Sequence, residues 1–180
     1  MTKPPSRSPL VEHLEALRAK DDRGALAALR RGLGRVPGEV ASMYRHVVPW
    51  LPRELDPWGE HAHYLIAALF AMHPESGGTG RSLGRAMAML RAAGGSESVE
   101  RRFVALLDAH PEDLGEHLRH AVSLLRSKDI ALDWHLLLRD VRSWTHLDGW
   151  VQRTWASDFW GHAERAEPTT TTPNPEGESA

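Results

Sequence analysis

The stretch Pro111–Lys128, PEDLGEHLRHAVSLLRSK, decides the fold class. Its apolar residues Leu114, Leu118, Ala121, Val122 and Leu125 recur at the three- and four-residue intervals of one α-helical face. Pro111 suits a helix start, so the spacing predicts the longest helix of the chain here, ending near Lys128. Outward from it the same grammar repeats. Ser96 caps a helix through Ala109 with Phe103, Leu106 and Leu107 in register, and Ser82 caps Leu83–Ala93, which Gly94 and Gly95 end. Asp56-Pro57 opens a helix to His73-Pro74 with Leu65, Ala68, Leu69 and Met72 on one face. Leu10–Lys20 is a short amphipathic helix, and Asp21 and Asp22 cap the next, through Leu33. Pro37 starts a helix that Pro49 and Pro52 stop. Downstream, Asp133 caps a helix to His146 carrying Leu137, Val141 and Trp144, and Asp148 caps a last one with Val151, Trp155 and Phe159.

Alternating β-branched runs, the mark of strands, are missing. The expectation is therefore an all-α bundle of about eight to nine helices over residues 10–161. The Gly-rich loop at 75–81 divides it into two packed subdomains. The end of the chain, 162–180, is polar and rich in Pro and Thr, and reads as a disordered acidic tail. No repeat of 20 to 50 residues indicates a solenoid.

With 180 residues and no cysteine, disulfide scaffolds, thiol catalysis and Cys-ligated zinc are excluded. No apolar run approaches the ~20 residues that span a bilayer. The opening MTKPPSRSPL lacks the apolar core of a signal peptide, so the expected location is the cytoplasm, with no membrane partner.

The formal net charge of -2 conceals an uneven distribution. Glu164, Glu167, Glu176 and Glu178 outnumber Arg165 in the tail, which leaves the body slightly positive. Between Arg23 and Arg53 six arginines face Glu39 alone, whereas Glu54–Glu75 contains acids and no Lys or Arg. Of the 22 basic residues only Lys3, Lys20 and Lys128 are lysine. Arginine suits phosphate because its planar fork donates two parallel hydrogen bonds. Helical geometry groups these cations. Arg119 and Arg126, seven apart, project within roughly 20° of each other. Arg23 and Arg30 repeat that spacing with Arg31 adjacent, and Arg85 follows Arg81 by four. Singly each is an ordinary solvated residue. Together they describe a phosphate-tracking surface with little sign of base readout.

Other chemistry finds no support. His61 and His63 point to different sides of a helix. His117 and His120 share a face, but Glu60/His63 is the single Glu-x-x-His pair, and HExxH is absent. The loop SGGTGRSLGR (76–85) is not a P-loop, and no G-x-S-x-G elbow occurs. No catalytic residue, metal site or cofactor is expected. Five of the seven tryptophans (Trp134, Trp144, Trp150, Trp155, Trp160) crowd the last third; Trp144 and Trp155 continue core stripes, and Trp160 is either core or a partner anchor.

The order of several segments resembles a known family. ALRRGLGR (Ala28–Arg35), HYLIAALFAMHP (His63–Pro74), SLGRAMAML (Ser82–Leu90) and RRFVALLDAH (Arg101–His110) come first. HLRHAVSLLRS (His117–Ser127), DWHLLLRDVRSW (Asp133–Trp144) and VQRTWASDFWG (Val151–Gly161) follow. Together they resemble the CasB family, the small subunit of the type I-E CRISPR surveillance complex Cascade. The resemblance implies an all-helical, two-part, non-catalytic protein. It implies two copies per complex, lying against the backbone and large subunits, with guide RNA and target DNA as partners. It implies a basic face that holds target and displaced strands and stabilises the R-loop. The arginines it carries over are Arg30, Arg31, Arg81, Arg85, Arg119, Arg126 and Arg142. The alternative from a different class is a helical scaffold whose arginines make protein contacts only.

Overall fold

The computed structural model describes residues 7–75, 77–94 and 97–161. Among them the chain forms nine α-helices and one 3-10 turn, with no strand. These are α1 (Pro9–Ala19), α2 (Arg23–Arg30), α3 (Ala41–Val47), the turn Val48–Trp50 and α4 (Pro57–Met72). There follow α5 (Leu83–Ala92), α6 (Glu97–Leu107), α7 (Leu114–Arg126), α8 (Trp134–Arg142) and α9 (Trp150–Trp160). The Ser96 cap and the tail 162–180 lie outside the described residues.

Four caps sit where the sequence places them. Asp22 Oδ1 accepts from the Ala25 N–H at 2.9 Å, Asp56 Oδ1 from Gly59 at 3.0 Å, Ser82 Oγ from Arg85 at 3.2 Å and Asp133 Oδ1 from Leu136 at 3.0 Å. Several boundaries differ from expectation. The longest helix is α4, with 16 residues, while α7 has 13 because Pro111 and the two residues after it form a turn ahead of it. Pro37 starts no helix: α3 begins at Ala41, and residues 36–40 stay in a turn with Gly38 at φ 92. Gly149, at φ 57, takes the cap position of α9, and Asp148 instead accepts the Trp150 N–H at 3.3 Å.

The larger difference concerns α4. The expectation of one apolar face understates it, since every residue from Ala62 to Ala71 is buried. A helix apolar all round must be enclosed. α4 packs against α1, α2 and α3 on one side of the chain order and α7 and α8 on the other. A single connected core follows, running from Leu10 to Phe159.

Indole N–H groups tie the outer helices to this core. Trp58 donates to the Val141 carbonyl at 2.8 Å, Trp134 to Glu75 at 3.2 Å and Trp144 to Ala109 at 3.2 Å. Trp155 donates to the carboxylate of Asp140 at 2.8 Å, deep in the interior. Trp134, Trp144 and Trp155 are thus core side chains with a satisfied polar end.

α9 closes over α5 at Gly84. A Cβ there would lie 2.8 Å from the Trp155 Cα, against main chain that cannot rotate away. Gly84→Ala is expected to cost about 3 kcal/mol, the upper end of ordinary overpacking, in chemical denaturation. An unchanged midpoint would show that the two helices can separate freely. Asp140 yields a second test. Burial, opposed by the Trp155 and Arg139 hydrogen bonds, raises its pKa above the usual 3.8. The unfolded chain releases this proton at lower pH than the folded one. The favourable contribution is therefore complete below the unfolded value and lost as pH rises through the folded one. Asp140→Asn never ionises yet keeps an acceptor for the indole. Its stability relative to wild type should improve as pH rises from about 4 to 7; a constant difference would contradict the assignment.

Candidate nucleic-acid interface

Helix ends present most of the arginines singled out above. Arg30 is the last residue of α2 and Arg31 its C-cap, both exposed. The chain then turns at Gly32, whose missing side chain lets it lie on Met43 and Ala68; a Cβ would meet the Ala68 Cβ at 3.3 Å. That turn carries Arg35 round to share a hollow of about 450 Å³ with Arg31, Glu39 and Val40.

Arg35 also borders a second hollow, of about 390 Å³, floored by Leu65, Ala68 and Leu69 of α4. Its far wall is α7, which contributes Arg119. The structure therefore brings Arg31, Arg35 and Arg119 round two hollows that share one wall, although 84 residues separate Arg35 from Arg119 in the chain. Arg119 Nη2 lies 3.9 Å from Glu116 Oε1, and its buried Nε has no hydrogen-bond partner among the described residues. Its remaining N–H groups belong to a side chain still 40% exposed. Arg126 ends α7, exposed, two turns further along, about 10 Å by helical rise.

Arg142 ends α8 and borders a third cavity, of about 500 Å³. Arg139 and Arg7 share it, with buried His63 in the wall. Arg139 pairs with Asp140 at 2.6 Å and lies over the Trp150 ring, 5.4 Å from its centre. Arg81 and Arg85 stand apart from these groups. The Arg81 guanidinium donates to the Ala131 carbonyl at 2.9 Å, and its own carbonyl accepts from Asp133. That half-buried arginine ties the 77–82 loop to the approach to α8. Arg85 is exposed on the first turn of α5.

Arg35, Arg139 and Arg7 are the cations that reading for helical spacing passed over. Arg139 had a signal, three residues before Arg142 on one helix. Arg35 had none beyond the local excess of charge, because its place depends on how the Gly32 turn meets α7.

The histidines have structural settings. His61 stacks on Trp58, ring centres 5.0 Å apart, and burial lowers its pKa. His117 and His120 border a small groove between α6 and α7 with Arg102. Among the described residues no three His, Cys, Asp or Glu side chains converge as a metal ion requires. No helix of the described residues is long and apolar enough to cross a membrane.

Comparison with known proteins gives one consistent answer. Residues 25–160 match the family model described as CRISPR-associated protein Cse2. A Cse2 protein of Thermus thermophilus is 37% identical over 140 residues, 76% of this chain and 79% of the relative. The crystal structure of a Cse2-family protein from Thermus thermophilus superposes with a TM-score of 0.77 at 34% identity, covering 86% of this chain and 99% of that one. A chain of a solved CRISPR RNA-guided surveillance complex superposes at 0.72 with 29% identity, covering 86% and 95%. A body of nine helices among the described residues, arginines gathered at helix ends and a family match over three quarters of the length lead to one conclusion: the chain belongs to the CRISPR-associated Cse2, or CasB, family.

Proposed function

We propose that this chain is the small subunit of a type I-E CRISPR surveillance complex, Cascade. In this role it is a non-catalytic cytoplasmic protein whose arginine surface holds target and displaced DNA strands and stabilises the R-loop. The family membership and the likeness to a chain of an RNA-guided surveillance complex support the assembly, with other Cascade subunits, a second copy of itself, guide RNA and target DNA as partners. The observation that carries the nucleic-acid part is the meeting of Arg31, Arg35 and Arg119 round two joined hollows. Among the described residues the side chains of Arg30, Arg31, Arg35, Arg126 and Arg142 have no ion pair or hydrogen bond of their own. Glu39, Glu112 and Glu116 border the same hollows and Arg119 lies 3.9 Å from Glu116, so the arginines without an ion pair are the ones best placed to meet a polyanion.

The physics of the R-loop needs little more. Exchange of DNA–DNA for RNA–DNA pairing is nearly balanced, so contacts to backbone phosphates decide its direction. A sequence-blind row of arginines on a rigid body is adequate for that task. Attraction of this kind is salt-sensitive, because each phosphate contact releases condensed counterions.

One observation favours protein contacts as well. Val36, Tyr44, Val48 and Trp50, all between residues 36 and 50, remain exposed. Aromatic and aliphatic side chains grouped like this are what a partner subunit covers. Scaffold and strand-holding roles separate in one experiment, the double charge reversal Arg30→Glu with Arg119→Glu. The complex is expected to assemble as before, while target-DNA affinity falls. Its log–log salt slope should become shallower by about one for each arginine that meets a phosphate. Loss of assembly would favour the scaffold role, and intact assembly with unchanged affinity would overturn the strand-holding role.

A further inference from the structure

The cavity beside Arg142 is built differently from the other hollows, because its wall contains a buried histidine with one ring nitrogen unused. His63 is 2% exposed. Its Nδ1 lies 2.6 Å from the Gly59 carbonyl, one helical turn earlier in α4. A carbonyl only accepts, so Nδ1 carries the hydrogen and Nε2 holds a lone pair. Among the described residues that Nε2 has no protein partner, and the side chain borders the cavity.

The groups facing it come from three parts of the chain. Arg139 and Arg142 stand on α8, Arg7 on the segment before α1, and His135, Asp56, Ser8 and Ser143 complete the polar wall. The carboxylate of Asp56 is turned into the first turn of α4, where it accepts the Gly59 N–H at 3.0 Å. His135 is held in the opposite tautomer. The Ser8 N–H donates to its Nδ1 at 2.9 Å, so its hydrogen is on Nε2, 3.8 Å from Glu15 Oε2. Arg7 Nε lies 3.5 Å from Glu12, and Arg139 is shared with Asp140. Arg142 keeps all five of its N–H donors. The wall thus offers a fork of donors beside one acceptor that can itself become a donor.

We propose that this cavity is a seat for a phosphate group, held by Arg142 with Arg139 and Arg7 over the free ring nitrogen of His63. The inference rests on the strand-holding function for its source, a backbone phosphodiester, although a free phosphate shares its tetrahedral set of anionic oxygens. A carboxylate would satisfy the arginine fork too, but a tetrahedral phosphate directs oxygens at the arginines and the histidine together. Proton linkage follows. Unliganded, His63 has its pKa lowered, first by burial and further by Arg142, against raising effects from the Gly59 bond and Glu60. A phosphodiester brings only acceptors, so Nε2 meets it as N–H, and binding takes up one proton at that atom. Occupancy therefore raises the affinity of His63 for its proton, and affinity for the phosphate increases as pH falls.

The test follows the Cε1–H resonance of His63 by NMR through a pH titration of the full chain, assigned by its loss in His63→Gln. Titrations are run alone, with inorganic phosphate, and with a single-stranded DNA decamer bearing 5′-hydroxyl ends. The His63 midpoint is expected to move to higher pH with either ligand. Exposed Arg142→Gln should abolish that movement while leaving the other histidine resonances in place. An unmoved midpoint in the presence of ligand known to be bound overturns the proposal, as does a movement that persists in Arg142→Gln. Movement with inorganic phosphate alone overturns the backbone source and assigns the seat to a small phosphorylated ligand. Failure of the decamer to bind anywhere would count against the strand-holding function, and the phosphate titration would still decide the seat.

Discussion

The enclosure of α4 is the constraint on which the remaining structure depends. From Ala62 to Ala71 no side chain of this helix reaches solvent to any useful extent, so neighbours must cover its whole circumference. α1, α2 and α3 do so from the N-terminal part and α7 and α8 from the C-terminal part. Small residues at Ala62, Ala67, Ala68 and Ala71 let these helices approach closely, while Ile66, Leu69 and Phe70 fill the space between them. Phe70 meets Trp134 of α8 edge to face, ring centres 5.4 Å apart. Distant parts of the chain are thus locked to one rod.

That locking explains how arginines far apart in sequence come to share a surface. The hollow between Arg35 and Arg119 has α4 as its floor, and the cavity of Arg142 has the α4 residue His63 in its wall. In both places the central helix sets the distance between cations carried by other elements. Binding to a long polyanion needs such spacing more than it needs any single contact, because the register of the phosphates is fixed by the strand. Rigid placement also limits the conformational entropy lost on binding. The interior polar groups serve the same rigidity. Asp140 receives both the Trp155 indole and Arg139, so α8 and α9 are joined through one buried carboxylate whose other oxygen fixes a cation at the cavity rim.

Much of this was legible in the sequence, and the exceptions have physical reasons. Helix identity and four of the caps followed from period and from Asp or Ser at the starts, since both are local properties. The burial of α4 on all sides was present in the unbroken apolar run HYLIAALFAM, but choosing one stripe of it hid the conclusion. Pro37 was misplaced as a helix start because proline at the first helical position looks the same as proline in a tight turn until Gly38 adopts its positive φ. Arg119 and Arg142 were found through spacing and family resemblance. Their companions Arg35, Arg139 and Arg7 were not, because tertiary packing creates those neighbourhoods. Arg81 shows the converse: helical spacing groups it with Arg85, yet one of its guanidinium nitrogens holds the Ala131 carbonyl.

We propose that a sequence-blind arginine surface on a rigid helical body stabilises an R-loop within the surveillance complex. The most direct measurement compares target-DNA binding by the guide-RNA complex purified with its genomic neighbours, assembled with and without this chain. The chain should co-purify with the complex, and its removal should shorten the lifetime of the R-loop, most of all at lower salt, where phosphate contacts contribute most. Purification of the chain alone, together with an R-loop of unchanged lifetime in its absence, would contradict it.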